Sequence, residues 1–238
     1  MKKYLYLLFL PLALSCSHDK DPIEPDLPTR IEVDYVNYFR EGTKWYVNQW
    51  KDQESLNNMT PSVCEFWLEG EELIDGVAAS KLMSYNSKYD PEPLVNGYVC
   101  VDNGKVMFHN LKSNSSWNIL YDFDMRPGDW TKVEVTHLGW RDIDYYTQKT
   151  GVDNSVIDLY CRELYESDFH KGIYEMKMGY EEDPYQAYHD GTWYMGIGAK
   201  EGPLDNGFFY IPLYYSRLYE VTYNGEVVFH NPDAASIR

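Results

Sequence analysis

VDNGKVMFHN, residues 101–110, carries the fold class of this chain. Asp102-Asn103-Gly104 sets side by side residues that tolerate positive φ, as a two-residue hairpin turn requires. Beyond the turn the side chains alternate. Val106 and Phe108 share one face, and Lys105, Met107 and His109 share the other. A period of two with one apolar side is the pattern of a half-solvated antiparallel sheet.

The same pattern recurs along the chain. In TKVEVTHL (131–138), Val133 and Val135 oppose Lys132, Glu134 and Thr136. In IYEMKM (173–178), Tyr174, Met176 and Met178 oppose Glu175 and Lys177. Turn signals stand between such runs at Pro127-Gly128-Asp129, Asp190-Gly191, Asn206-Gly207 and Asn224-Gly225. The chain is 16% aromatic, with 23 tyrosines and 7 tryptophans, a content that suits strands. These signals predict a mainly β fold, an antiparallel meander or sandwich-like domain over residues 31–238.

One segment departs from period two. Between Ser155 and Tyr165 the pairs Val156/Ile157, Tyr160/Cys161 and Leu164/Tyr165 recur every four residues, with Asp153 or Asn154 placed to cap. That spacing predicts one short helix, although the β-branched start also suits a strand. There is also an internal echo: NGEVVFHN (224–231) repeats NGKVMFHN (103–110) at six of eight positions. Either two related β units exist, or hairpin chemistry has produced the same solution twice.

The N-terminus reads differently. Lys2 and Lys3 precede the apolar run YLYLLFLPLAL, interrupted by Pro11 and shorter than the roughly 20 residues a spanning helix needs. This layout predicts a secretory signal over residues 1–15. Ala13-Leu14-Ser15-Cys16 resembles the lipobox of bacterial lipoproteins, with Cys16 as the lipidated residue and Leu14 a loose match. Residues 16–30 are polar and acidic, with Pro22, Pro25 and Pro28, and suit an extended tether. The expectation is an outer-membrane lipoprotein held to the membrane by its N-terminal lipid. The acidic stretch after Cys16 resembles the export signals of surface lipoproteins in Bacteroidetes, which adds possible display on the cell surface.

Charge and motifs narrow the function by exclusion. A formal net charge of −17 opposes binding to nucleic acid and adhesion to anionic lipid. No G-x-S-x-G, H-E-x-x-H or EF-hand spacing occurs, so the sequence points to no catalytic residue, cofactor or metal. Apart from Cys16, the cysteines are Cys64, Cys100 and Cys161, expected as buried small hydrophobes, with Cys64–Cys100 the pair to consider for a disulfide. Asp122/Asp124, Asp142/Asp144 and Glu181-Glu182-Asp183 place carboxylates in close sequence, as an acidic chain does by chance. His109 and His230 hold matched places in the echoed strands and read as ordinary strand-edge histidines. The glycine-rich segment Gly196 to Leu204 reads as a structural turn, because no helix follows it to hold a phosphate.

Aromatic residues give the remaining candidate surface. Trp117, Trp130, Trp140 and Trp193 suit the core, whereas Tyr145, Tyr146, Tyr185 and Tyr188 lie in polar stretches and suit an exposed platform for a sugar ring or protein partner.

Several segments, in order, resemble an uncharacterised family of Bacteroidetes secreted proteins and lipoproteins. They are FREGTKWYV (39–47), FWLEGEELIDGVAASKLM (66–83), VDNGKVMFH, LYDFDMRPGDW (120–130) and MGIGAKEGPL (195–204). The resemblance departs at Val77-Ala78-Ala79 and between about residues 138 and 171. It implies export and β structure, and carries no activity or site residues with it. The function expected from all this is an envelope-anchored accessory protein binding a glycan or a protein partner. A structural or assembly role and an extracellular glycan hydrolase are the alternatives, the last requiring two facing carboxylates roughly 5 to 9 Å apart.

Overall fold

Three Asx-Gly turns organise the chain in the computed structural model, which describes residues 33–50, 58, 60–111, 117–134, 156–168, 170–180, 191–204 and 215–235. At Asp75-Gly76, Asn103-Gly104 and Asn224-Gly225 both residues have positive φ, between 46° and 84°. Two consecutive left-handed residues match the twist of the strands they join. Each turn closes a hairpin: β2 (Ser62–Ile74) with β3 (Val77–Tyr85), β4 (Leu94–Asp102) with β5 (Lys105–Asn110), and β12 (Tyr215–Tyr223) with β13 (Glu226–His230).

These hairpins combine with β1 (Thr43–Trp50) and β6 (Trp117–Asp122) in an eight-stranded antiparallel sheet of order β13-β12-β1-β2-β3-β4-β5-β6. The first six strands form a meander, and the C-terminal hairpin returns to pair with β1. A second, five-stranded sheet has the order β11-β10-β9-β8-β7. It comprises β7 (Trp130–Glu134), β8 (Val156–Glu166), β9 (Tyr174–Tyr180), β10 (Gly191–Tyr194) and β11 (Gly198–Ala199). The expected antiparallel, sandwich-like β fold is what the chain adopts. Residues Val33–Arg238 form one unit.

The inward faces follow the alternation read from sequence. Val106 and Phe108 of β5, and Met176 and Met178 of β9, are all at most 1% exposed and belong to one core cluster. Trp45, Phe66, Tyr121 and Trp193 fill the same core, with the Tyr121 and Trp193 rings meeting edge-on at 5.0 Å between the two sheets. Burying such side chains contributes roughly 1.5–3 kcal/mol each before the entropy of ordering is counted.

The segment expected as a helix is a strand. Val156–Glu166 forms β8, paired with β7 on one side and β9 on the other. Leu159 and Cys161 point inward two residues apart, and a bulge against β9 between Cys161 and Glu163 shifts the register before Leu164. Tyr160 faces the other way and packs its ring 4.9 Å from that of Trp130. Alternation interrupted by one bulge therefore imitates a spacing of four.

The echo holds for turn chemistry and for the buried phenylalanines, Phe108 and Phe229. It fails at the preceding apolar position, where Val106 is fully buried but Val227 is 57% exposed. A bulge in β13 opposite Val221/Thr222 turns Val227 outward.

Candidate functional site

Glu175 is the residue around which a site is built. Because Met176 and Met178 face the core, Glu175 and Lys177 project from the opposite side of β9, where water is the usual neighbour. Glu175 is instead buried. The turn after β8 brings Ser167 against it, held by hydrogen bonds from Ser167 N to Ile173 O (2.7 Å) and from Ile173 N to His170 O (3.1 Å). Gly172, at φ 81°, makes the reversal possible, and its amide donates to Glu166 Oε1 at 2.6 Å.

The buried carboxylate is well supplied with partners. Ser167 Oγ donates to Glu175 Oε1 at 2.7 Å and Tyr165 OH to Oε2 at 3.1 Å. Lys177 Nζ lies 3.7 Å from Oε2 and donates to Thr192 Oγ1 at 2.9 Å. A carboxylate so enclosed needs these contacts, since burying it unpaired costs several kcal/mol.

Beside this network lies a cavity of about 290 Å³. Tyr165, Asp168, Glu175 and Lys177 line it from the β8–β9 hairpin, and Thr192, Tyr194 and Lys200 from the region of β10 and β11. Arg217 of β12 and the C-terminal residues Asn231 and Asp233 complete it. Backbone hydrogen bonds fix these walls. Lys200 N donates to Thr192 O and Leu218 N donates to Lys200 O, both at 2.8 Å. Asn231 Oδ1 accepts from Asp233 N at 3.1 Å, shaping the 3-10 turn Pro232–Ala235.

Burial raises the pKa of the Tyr194 phenol far above its ordinary value, with the Glu175 charge adding to the effect and Arg217 opposing it. Burial likewise raises that of Tyr165. Both remain neutral hydrogen-bonding groups at physiological pH. The cleft thus offers phenols, carboxylates, cations and an amide within a small concavity, a set suited to a ligand rich in hydroxyl groups. The Ser167 hydroxyl is committed to a carboxylate. Among the described residues no group of three or more His, Cys, Asp or Glu is placed to hold a metal.

A second concavity, of about 660 Å³, lies along β2 and β3 and is lined by Ser62, Val63, Glu65, Tyr85 and Lys88 among others. It has more room but, among the described residues, a single aromatic side chain, Tyr85.

Tyr145, Tyr146, Tyr185 and Tyr188 lie outside the described residues, as do Trp140, Asp142, Asp144, Glu181-Glu182-Asp183, Asn206-Gly207 and the whole of residues 1–30 with Cys16. Trp193 is core, Trp117 is half-buried against His109 at 5.3 Å, and Trp130 is 51% exposed. The expected structural turn at Gly196 to Leu204 is deeply built into the fold: Trp45 Nε1 donates to Ile197 O at 2.8 Å, and Tyr121 OH donates to Gly202 O at 3.0 Å.

Asp122 and Asp124 support local structure. Asp122 lies 3.2 Å from Lys105 Nζ and accepts from Thr131 Oγ1 and Asp124 N, while Asp124 accepts from Tyr35 OH. Asp129 accepts from Arg126 N at 2.8 Å across its own turn. His109 lies near Asp75 and His230 near Glu220, each at 3.4 Å. Their strands are six steps apart in the large sheet, roughly 29 Å along it, so the two histidines do not converge.

Among the described residues Cys64, Cys100 and Cys161 form no disulfide; Cys64 and Cys161 are buried and Cys100 is half-buried. Cys64 and Cys100 lie on strands separated by β3, so no bridge joins them.

The cleft at Glu175 was missed because a lone glutamate on the polar side of an alternating strand reads as solvated. Compared with known protein families, curated proteins and solved structures, the chain matches none.

Proposed function

We propose that this protein is an envelope-anchored binding protein that holds a saccharide unit in the cleft beside Glu175. The observation carrying this reading is a concavity in which Tyr165, 36% exposed, stands against a buried Glu175 fixed by Ser167 and Lys177. A sugar ring presents an apolar C–H face and a rim of hydroxyls. A tyrosine ring covers the first, and pre-oriented carboxylate, amide and ammonium groups meet the second without further ordering cost. The volume is near the lower bound for small-ligand pockets, which suits one or two sugar units better than a protein surface.

The anchor belongs to the same reading. The lipobox-like Ala13-Leu14-Ser15-Cys16 and the acidic, proline-containing residues after it favour an outer-membrane lipoprotein with its domain held away from the bilayer. The resemblance to secreted Bacteroidetes proteins is consistent with that placement.

A glycan array probed with the full-length chain in detergent, alongside Tyr165→Ala and Tyr85→Ala, tests the proposal. Binding that falls at least tenfold in Tyr165→Ala and survives in Tyr85→Ala is expected. Retention in Tyr165→Ala with loss in Tyr85→Ala would move the site to the wider groove, and an array with no binder would refute saccharide recognition.

A further inference from the structure

The charges in the cleft divide into those already neutralised and those still available. Of its three cations among the described residues, Lys177 is committed to Glu175 and Thr192. Lys200 and Arg217 have no side-chain hydrogen bond or ion pair among the described residues, although both are only half-exposed. Among the described residues neither charge has a carboxylate partner, in a chain with 38 acidic residues against 21 basic ones.

The main chain that carries them is tied together. The main-chain bond from Leu218 N to Lys200 O brings the β11 end alongside β12, so Lys200 lies next to the strand that carries Arg217. Asp168 and Asp233 line the same cavity. A bare inorganic anion would meet repulsion from the Asp168 carboxylate. A ligand that donates hydroxyls to carboxylates while offering one anionic group to cations meets none.

From this arrangement we infer that the cleft selects an acidic saccharide, one whose ring hydroxyls face the Asp168 side chain and whose anionic substituent is held by Lys200 and Arg217. A guanidinium binds a carboxylate or a sulfate through two parallel N–H donors, and the lysine adds a compact charge. The inference rests on the saccharide-binding reading above and adds the class of sugar.

Titration calorimetry on the full-length chain in detergent separates the two levels. The ligands are uronic-acid oligomers, their sulfated neutral counterparts and unmodified neutral oligomers of equal length. The proteins are the parent, Lys200→Gln and Arg217→Gln, each checked for an unchanged melting temperature. The expected result is an acidic oligomer bound at least tenfold more tightly than the neutral one. Each substitution should remove most of that preference, weakening acidic binding at least tenfold more than neutral binding. Preference for uronate over sulfate, or the reverse, identifies which anion the pair accepts. Equal affinity for acidic and neutral oligomers, insensitive to both substitutions, would overturn the inference and leave saccharide binding intact. No binding to any of the three would overturn both.

Discussion

Tyr121→Phe removes one atom from the junction of the two sheets and leaves everything else in place. Tyr121 is fully buried, with its ring stacked on Phe123 at 5.4 Å and edge-on to Trp193 at 5.0 Å. A phenylalanine keeps those contacts. The hydroxyl donates to Gly202 O at 3.0 Å and accepts from Ala199 N at 3.2 Å, so its loss disturbs a buried acceptor and a buried donor. Leaving one such group unsatisfied costs about 1–3 kcal/mol. Ala199 N and Gly202 O also face each other at 3.2 Å, which retains part of the hydrogen bonding and brings the total below the sum of two orphaned groups. The expected destabilisation is about 2 kcal/mol. For a domain of this size that lowers the melting temperature by about 4–8 °C. Urea denaturation should show a lower midpoint at unchanged m-value, since the surface exposed on unfolding is the same. Because Lys200 follows Ala199, ligand affinity at the cleft should weaken in parallel. A variant within about 0.3 kcal/mol of the parent would refute the claim that this hydroxyl ties the glycine-rich segment to the large sheet.

Three further outcomes follow from the same structure. Glu175→Gln keeps the volume of the side chain but removes the charge facing Lys177 and one of two acceptors, and should cost about 1–2 kcal/mol by urea denaturation; no loss would mean the buried network is dispensable. Gly97→Ala places a methyl group 2.5 Å from the Phe108 ring and 2.6 Å from His109 O, and overpacking there should cost about 1–3 kcal/mol, read as a fall in melting temperature. Stability should also decline in alkali. Burial pushes the Cys161 thiol up to about 11 from 9.0 and the Tyr35 phenol up to about 12 from 10.0. The folded state then keeps protons that the unfolded chain releases, so the Cys161 contribution is complete below pH 9 and is lost between pH 9 and 11. Cys161→Ala should flatten that part of a stability–pH curve, and an unchanged slope would contradict the assignment.

The large sheet was legible because its signals are local. Asn103-Gly104 and Asn224-Gly225 demand positive φ, and the flanking alternation decides which side chains enter the core. β8 was not, because one bulge at Cys161 converts strict alternation into a spacing that a helix also explains. The cleft was illegible for a different reason. Glu175, Lys200 and Arg217 are distant in sequence and ordinary one by one; only the turn after β8 that brings Ser167 against Glu175, and the pairing of Leu218 N with Lys200 O, assemble them. Aromatic content pointed to Tyr145, Tyr146, Tyr185 and Tyr188, which lie outside the described residues, whereas Tyr165 and Tyr194 stood inside strand patterns that read as structural.

Amide hydrogen exchange, compared with and without a saturating uronic-acid oligomer, tests the location and occupancy of the cleft together. Added protection at Tyr174–Tyr180, Gly191–Tyr194 and Lys200, with none at Ser62–Ile74, is the expected pattern. Protection confined to Ser62–Ile74 and Val77–Tyr85, or no change anywhere, would contradict the assignment of the Glu175 cleft as the saccharide site.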